Sequence, residues 1–412
     1  MVALKQTVAF LLAFITLLLS GCHAVTDTPP SISLETPSLV TTATSAVSET
    51  TTTEPTQETF IPETTATAEI ETIPTEVEFD PIAFARQLST EEKVGQLFLA
   101  RCPETDAVAD IANYHLGGYI LFDRDFRHST PEEVRTLIAE FQQTSAIPML
   151  VAVDEEGGTV TRISCYDQYR NSNFPSPRSL YTKGGMALIE ETEREKCRLL
   201  RDLGVNVNMA PGCDITTDPF SFMYDRSLGQ PPHTTAYFAK SVVDIMAEHQ
   251  IGSVLKHFPG YGNNTDTHTG IATDTRSLNE LESADLIPFS IGAKAGCGAI
   301  LISHTFIEAL DSTLPASLSP TVINYLREQM GFNGVAVTDD LAMQAITDLY
   351  GAGEAAILAV LAGNDLLCSS EYQVQYTAVL EAVQSGRITT ERLDQAVSRI
   401  LQWKYRLGLL EG

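Results

Sequence analysis

The sequence predicts a single TIM-type (β/α)8 barrel, preceded by a lipoprotein signal peptide and a disordered stalk. Three observations carry this expectation. Over the last ~330 residues, short apolar runs alternate with longer amphipathic stretches, the pattern of a parallel α/β fold. Almost every apolar run ends in an ionisable or polar residue, and barrel enzymes gather their functional groups from the C-terminal ends of many strands. The glycine-rich loops that mark the switch point of an open doubly wound sheet, Gly-x-Gly-x-x-Gly and Gly-x-x-x-x-Gly-Lys, are absent.

Lys5 is the only charge ahead of an apolar run from Val8 to Leu19. That run is shorter than the ~20 residues a spanning helix needs, and behind a basic start it reads as a secretory signal. It ends in Leu19-Ser20-Gly21-Cys22, which is similar to a bacterial lipobox. The similarity implies that residues 1–21 are removed and that Cys22 becomes a lipid-bearing N-terminus. Residues 22–80 are dominated by Thr, Ser, Pro and Glu, with 11 acidic residues and no Lys or Arg. Such a segment buries too little apolar surface to offset its ordering entropy, and its like charges extend it. An extracytoplasmic protein held at the bacterial membrane by lipid is therefore expected.

The whole chain carries a net charge of −27, of which −17 belongs to residues 81–412. A nucleic-acid partner is not expected, since such proteins show a basic footprint. The cysteines at 102, 165, 197, 213, 297 and 368 have no paired spacing. With no Cys-x-x-Cys and no His-rich pattern, a zinc site is not expected, and disulfide connectivity is left open.

Within residues 81–412 the apolar runs fall at 118–122, 149–153, 205–209, 253–255, 299–302, 334–338 and 365–368, each short enough for a buried parallel strand. Helices are predicted over 131–141, 186–203, 234–249, 278–294, 320–330 and 351–362, with a last pair over 372–385 and 389–407. At the ends of the runs stand Asp123, Asp154, Asp214, Lys256 with His257, His304 and Asp339. Trp403, in the final helix, reads as a packing residue.

Lys256-His-Phe-Pro-Gly-Tyr-Gly262 follows the run 253–255 directly, and its Pro and two Gly force a loop at the face where functional loops gather. Asp266-Thr-His268 lies just beyond. In an extended loop, the Asp266 carboxylate reaches one ring nitrogen of His268 and leaves the other facing the cleft. A carboxylate in that position fixes the tautomer and raises the basicity of the imidazole, which favours proton donation near neutral pH.

These residues resemble glycoside hydrolase family 3, in the branch of bacterial β-N-acetylglucosaminidases. Three more blocks agree in the family's order: Val153-Asp-Glu-Glu-Gly-Gly158 with Arg162, Pro315-Ala-Ser-Leu-Ser-Pro320, and Gly331-Phe-Asn-Gly-Val-Ala-Val-Thr-Asp-Asp-Leu341. The resemblance covers roughly residues 85–410 and marks 81–412 as a catalytic barrel. It implies that Asp339 is the nucleophile in preference to Asp340, because the family's nucleophile comes first after the strand's Thr or Ser. It implies that His268 is the acid/base and Asp266 its orienting partner. Asp154, Arg162, Arg226, Lys256 and His257 resemble the residues that hold the sugar. His304, near the mouth by position, stands between ligand contact and support of its neighbours. Other readings are an Asp154–Arg162 structural ion pair, a solvated Lys256 at a strand end, and Asp340 as a carboxylate at a helix N-terminus. Tyr261 stands where the family often has His, and Thr159 where an Arg often follows the Gly pair. Both change polar contacts near the ligand and leave the chemistry in place.

The activity implied is that of a retaining β-N-acetylhexosaminidase. It would remove terminal β-linked N-acetylglucosamine, or a related N-acetylhexosamine, from cell-wall or other glycans through a glycosyl-enzyme intermediate, with no metal or organic cofactor. A β-glucosidase-type or phosphorolytic member of the same family is an alternative. The β-glucosidase type often takes its acid/base from a second domain, for which the ~70 residues after Asp339 leave no room. A non-catalytic cell-wall-binding lipoprotein is the alternative of another class.

Overall fold

The computed structural model describes residues 79–411, except 263, 265, 268 and 269. The signal segment, Cys22, nearly all of the stalk and His268 lie outside the described residues.

In chain order the strands are β1 (Phe98–Arg101), β2 (Gly118–Leu121), β3 (Leu150–Val153), β4 (Val207–Asn208), β5 (Gly252–Phe258), β6 (Thr273–Asp274), β7 (Ala299–Ile302), β8 (Phe306–Ile307), β9 (Asp311–Pro315), β10 (Val335–Thr338) and β11 (Leu367–Ser369). Eight of them form one parallel sheet in the order β10-β7-β5-β4-β3-β2-β1-β11. A parallel bridge between Val337 and Leu366 joins its two edges, and the Asp365 and Leu366 amides donate to the Ala336 carbonyl at 2.8 and 3.1 Å. The sheet is thus a closed barrel, as predicted.

All seven predicted runs contribute a barrel strand. The eighth, β1, was not expected. It follows the helix Thr90–Gln96 with only Leu97 between them, so no turn residue marks the change of period. A second addition is the small sheet β6-β8-β9, built from the loops above the barrel.

Alternation along each strand sorts the core into two layers. Leu99, Ile120, Ala152, Val207, Val254, Leu301, Val337 and Cys368 fill the barrel interior. Their neighbours, such as Phe98, Ala100, Tyr119, Leu121, Val151 and Val153, pack against the surrounding helices. Strand β4 is only two residues long, and asparagine side chains lengthen its pairing with β3. Asn206 Oδ1 accepts from the Val151 amide at 2.8 Å and Nδ2 donates to the Met149 carbonyl at 3.0 Å. Asn208 does the same for the Glu155 amide and carbonyl at 3.0 and 3.1 Å.

The helices follow the predicted periodicity with local differences. The stretch 278–294 is two helices, Leu278–Ser283 and Leu286–Lys294, parted at Ala284, whose φ of −136° leaves the helical range. The stretch 320–330 is a short α-helix, Pro320–Asn324, that widens into a π turn at Tyr325–Gln329. The helix predicted to start at 186 begins at Pro177, capped by Ser176, and is interrupted at Gly185 with φ 63°. The six described cysteines are unpaired, and all but Cys165 are buried.

The final helix, Thr390–Arg406, turns Ile400 and Trp403 into the interior cluster at the N-terminal end of the strands. The indole fits there because Gly252 and Gly298 have no side chains. A Cβ on Gly298 would lie 1.9 Å from Trp403 Nε1. Gly298→Ala should therefore displace the indole and destabilise the fold by about 1–3 kcal/mol, the usual range for overpacking. The measurement is the urea midpoint by circular dichroism, and an unchanged midpoint would show that the fold does not depend on the Trp403 indole filling that space.

Candidate active site

Carrying the inward parity one step beyond the packed interior places Arg101, Phe122, Asp154, Lys256 and Asp339 around the C-terminal mouth of the barrel. The ladder between β5 and β7 shifts register between Leu255 and Phe258. Such an irregularity re-aims side chains, and here the consecutive Lys256 and His257 both join the polar cluster of the mouth.

Lys256 is 2% exposed, and its Nζ lies 2.5 Å from Asp154 Oδ1 and 2.6 Å from Glu156 Oε1. Glu156 is also gripped by Arg226, on the loop after β4, through Nε at 3.0 Å and Nη2 at 2.7 Å. Arg226 Nη2 approaches His257 Nε2 at 3.2 Å, and His257 Nδ1 meets Asp214 Oδ2 at 2.8 Å. These partners assign the imidazole hydrogen to Nδ1, donated to Asp214, with the Nε2 lone pair turned to the guanidinium. One continuous row, Asp154–Lys256–Glu156–Arg226–His257–Asp214, therefore ties together the ends of β3, β4 and β5.

The charges in this row hold one another ionised. Burial pushes Glu156 up, but Lys256 and Arg226 together hold it well below the usual carboxylate range. Burial acts the same way on Asp214, and His257 and the Tyr261 amide outweigh it to keep that group low. Lys256 and Arg226 are raised above their ordinary values by the carboxylates despite burial. Glu156 was not singled out in the sequence. Its signal lay within Asp154-Glu-Glu156, where only the first acid was chosen.

Glu155, fully buried, shapes the next loop by accepting from the Arg162 and Ile163 amides, both at 2.8 Å, and from the Ser164 hydroxyl. Asp154 pairs with Lys256, so the Asp154–Arg162 ion pair is replaced, and Lys256 is not a solvated strand end. The Arg162 guanidinium lies 5.8 Å from the Phe122 ring centroid, and Arg101 lies 4.8 Å from the same ring. The Nε atoms of both arginines are buried without a hydrogen-bond partner among the described residues. Arg101 was missed because its strand was missed.

Parity also separates the adjacent acids. The Asp339 amide continues the ladder to the Ile302 carbonyl at 3.0 Å, and its side chain follows Val335 and Val337 inward. Asp340 faces the other way. Its Oδ1 accepts from the Ala342 and Ser370 amides at 2.9 and 3.1 Å, and its Oδ2 from the Ser370 hydroxyl. It braces a turn and the end of β11, not the N-terminus of a helix. His304 is fully buried, with Nδ1 2.7 Å from Ser317 Oγ and Nε2 2.9 Å from the Asp340 carbonyl. Both ring nitrogens are engaged by protein atoms, so His304 supports the turn beneath the mouth and is not a ligand contact.

The loop carrying Asp266 reaches this constellation through Tyr261. After burial, the charge of Asp339 acts most strongly to push the Tyr261 phenol up, and Asp214 and Asp266 add to it. The charges of Asp339 and Asp266, on separate segments, thus both act on the same phenol. A cavity of about 410 Å³ at the opposite end of the barrel, lined by Lys294, Arg399, Trp403 and Arg406 among others, holds none of these groups.

Residues 89–403 match the Glycosyl hydrolase family 3 N terminal domain. The chain belongs to this family. It is 29% identical over 337 residues to "Beta-hexosaminidase LpqI" of Mycobacterium tuberculosis, covering 79% of this chain and 85% of that one. To a "Beta-hexosaminidase" of Xylella fastidiosa it is 32% identical over 311 residues, covering 73% and 89%. A solved glycoside hydrolase family 3 β-N-acetylglucosaminidase from Paenibacillus sp. superposes with a TM-score of 0.73 at 35% identity, over 78% of this chain and 63% of that one.

The ion row in this family 3 barrel has a measurable consequence. Glu156→Gln leaves two buried cations short of a counter-charge and should lower stability by about 3–5 kcal/mol at pH 7. Because the Glu156 pKa is depressed in the fold, its contribution is full above the ordinary value of 4.5 and fades as pH falls below it. Urea unfolding as a function of pH should show the gap between wild type and Glu156→Gln closing below about pH 4.5. A gap that stays constant down to pH 3 would contradict the assignment.

Proposed function

We propose that the protein is a retaining β-N-acetylhexosaminidase that releases terminal β-linked N-acetylglucosamine from amino-sugar glycans. The reading rests on the inward carboxylate of Asp339, set at the mouth of a family 3 barrel beside a row of buried ionised groups. Relatives named β-hexosaminidase over most of their length support it.

In the proposed reaction Asp339 attacks the anomeric carbon as the bond from that carbon to the departing oxygen breaks. Protonated His268, oriented by Asp266, gives its proton to that oxygen. The result is a glycosyl ester on Asp339 and a neutral imidazole. His268 then takes a proton from water, the water oxygen attacks the same carbon, and the ester breaks. The sugar leaves with its β configuration retained, and both groups return to their starting states. Lys256, Arg226 and Arg162 offer hydrogen-bond donors to sugar oxygens and Asp154 an acceptor, while His257, engaged by Asp214 and Arg226, orients that guanidinium. The ion pairs among Asp154, Lys256, Glu156 and Arg226 keep these side chains oriented before substrate arrives.

Location is proposed on separate grounds. The lipobox-like Cys22 and the acidic stalk are read as a lipid anchor and spacer that hold the barrel outside the cytoplasmic membrane, within reach of cell-wall glycans.

Asp339→Asn is expected to reduce turnover of 4-nitrophenyl N-acetyl-β-glucosaminide to the uncatalysed background. His268→Ala should lose about 100- to 10,000-fold on substrates with poor leaving groups and far less on activated aryl glycosides in the first step. An equal loss across leaving groups would remove His268 as the acid. Wild type should prefer the 2-acetamido substrate over the matching glucoside. It should release free sugar at a rate indifferent to phosphate, whereas sugar 1-phosphate as product would favour the phosphorolytic reading. Cys22→Ala should abolish labelling by radioactive palmitate, and a labelled variant would exclude lipidation at that residue.

A further inference from the structure

We propose that the Tyr261 hydroxyl positions the acid/base loop, acting through Thr267 and not through the substrate. The inference rests on the reading of Asp266 and His268 as the acid/base pair.

Tyr261 is held to the barrel end by its other atoms. Its amide donates to Asp214 Oδ1 at 2.8 Å, the same carboxylate that orients His257. Its ring meets His257 edge-on at 5.1 Å and Phe222 at 5.0 Å, and only 2% of the residue is exposed. The glycines on either side adopt left-handed conformations, with φ 114° at Gly260 and 55° at Gly262. A Cβ on the first would lie 2.6 Å from Asp285 and on the second 2.7 Å from Arg276, two groups joined by a 2.6 Å ion pair. The backbone around Tyr261 is therefore clamped from both sides.

From this fixed base the phenol oxygen reaches Thr267 Oγ1 at 2.6 Å. Thr267 is fully buried and is the residue between Asp266 and His268. Burial and the nearby carboxylates keep the phenol protonated, so the contact stays a bond between two neutral hydroxyls. The contact pins the middle of the Asp-x-His segment to the same frame that orients His257, and its Tyr is one of the two positions where this chain departs from the family pattern. Loss of the hydroxyl leaves the ring packing intact and frees the loop.

The test uses the full chain with Tyr261→Phe, Thr267→Val, the double variant and His268→Ala. Each is assayed on aryl N-acetyl-β-glucosaminides with leaving groups from strongly to weakly activated, and thermal midpoints are recorded in parallel. Both single variants should lose about 5- to 30-fold in kcat on the poorest leaving group and less on the best, with KM nearly constant. The double variant should be no worse than the more damaged single variant, because both remove one contact. Their thermal midpoints should stay close to wild type. A uniform loss across leaving groups, a change confined to KM, multiplying losses in the double variant or wild-type kinetics in Tyr261→Phe would each overturn the proposal. If His268→Ala alone steepens the leaving-group dependence, the acid/base reading stands and the positioning role of Tyr261 falls. If His268→Ala shows no steepening, the underlying assignment falls first.

Discussion

The buried ammonium of Lys256 is the constraint on which the rest of the mouth depends. Removing such a charge from water costs several kcal/mol, and only closely placed counter-charges offset it. Asp154 and Glu156 supply them from the end of β3. Two carboxylates around one ammonium leave an excess of negative charge, which Arg226 balances from the loop after β4. Arg226 in turn faces the imidazole that Asp214 orients. Each group makes the next tolerable, so the row forms as a unit. It fixes the relative heights of three strand ends in a way that apolar packing, which is non-directional, does not.

The same logic separates function from support among residues that look alike in sequence. Asp339 and Asp340 are neighbours of identical chemistry, yet one faces the barrel axis and the other is committed to Ala342 and Ser370. Glu155 and Glu156 divide likewise: one organises the backbone of the following loop, the other joins the ionic row. In each pair the β-strand period of two makes the choice, before any substrate is considered.

Much of the barrel was legible because buried parallel strands leave short apolar runs, and because polar residues at their ends betray a common face. What could not be read has definite causes. Strand β1 adjoins a capped helix without a punctuating turn, so its Arg101 went unnoticed. Strand β4 pairs partly through Asn206 and Asn208 side chains, an arrangement that residue patterning does not encode. Of the site, the single acids and bases at strand ends were visible from their positions. Their partners were not: Asp214 was noted only as a strand end, and its bond to His257 joins residues 43 apart in sequence. His304 was placed correctly along the chain, but its burial beneath Asp340 depends on the packing of Ser317, on a loop that returns from the small outer sheet. Sequence position says where a side chain starts and not which neighbours close over it.

The unpaired cysteines of the barrel differ from surface thiols in their chemistry. Burial drives the Cys102 thiol up to about 12 and raises those of Cys197, Cys213, Cys297 and Cys368 as well, so none offers appreciable thiolate at neutral pH. Thiolate is the species that oxidants and disulfides attack. Once folded, these five sulfurs are shielded from thiol oxidants by their burial, and of the described cysteines Cys165 alone is partly exposed.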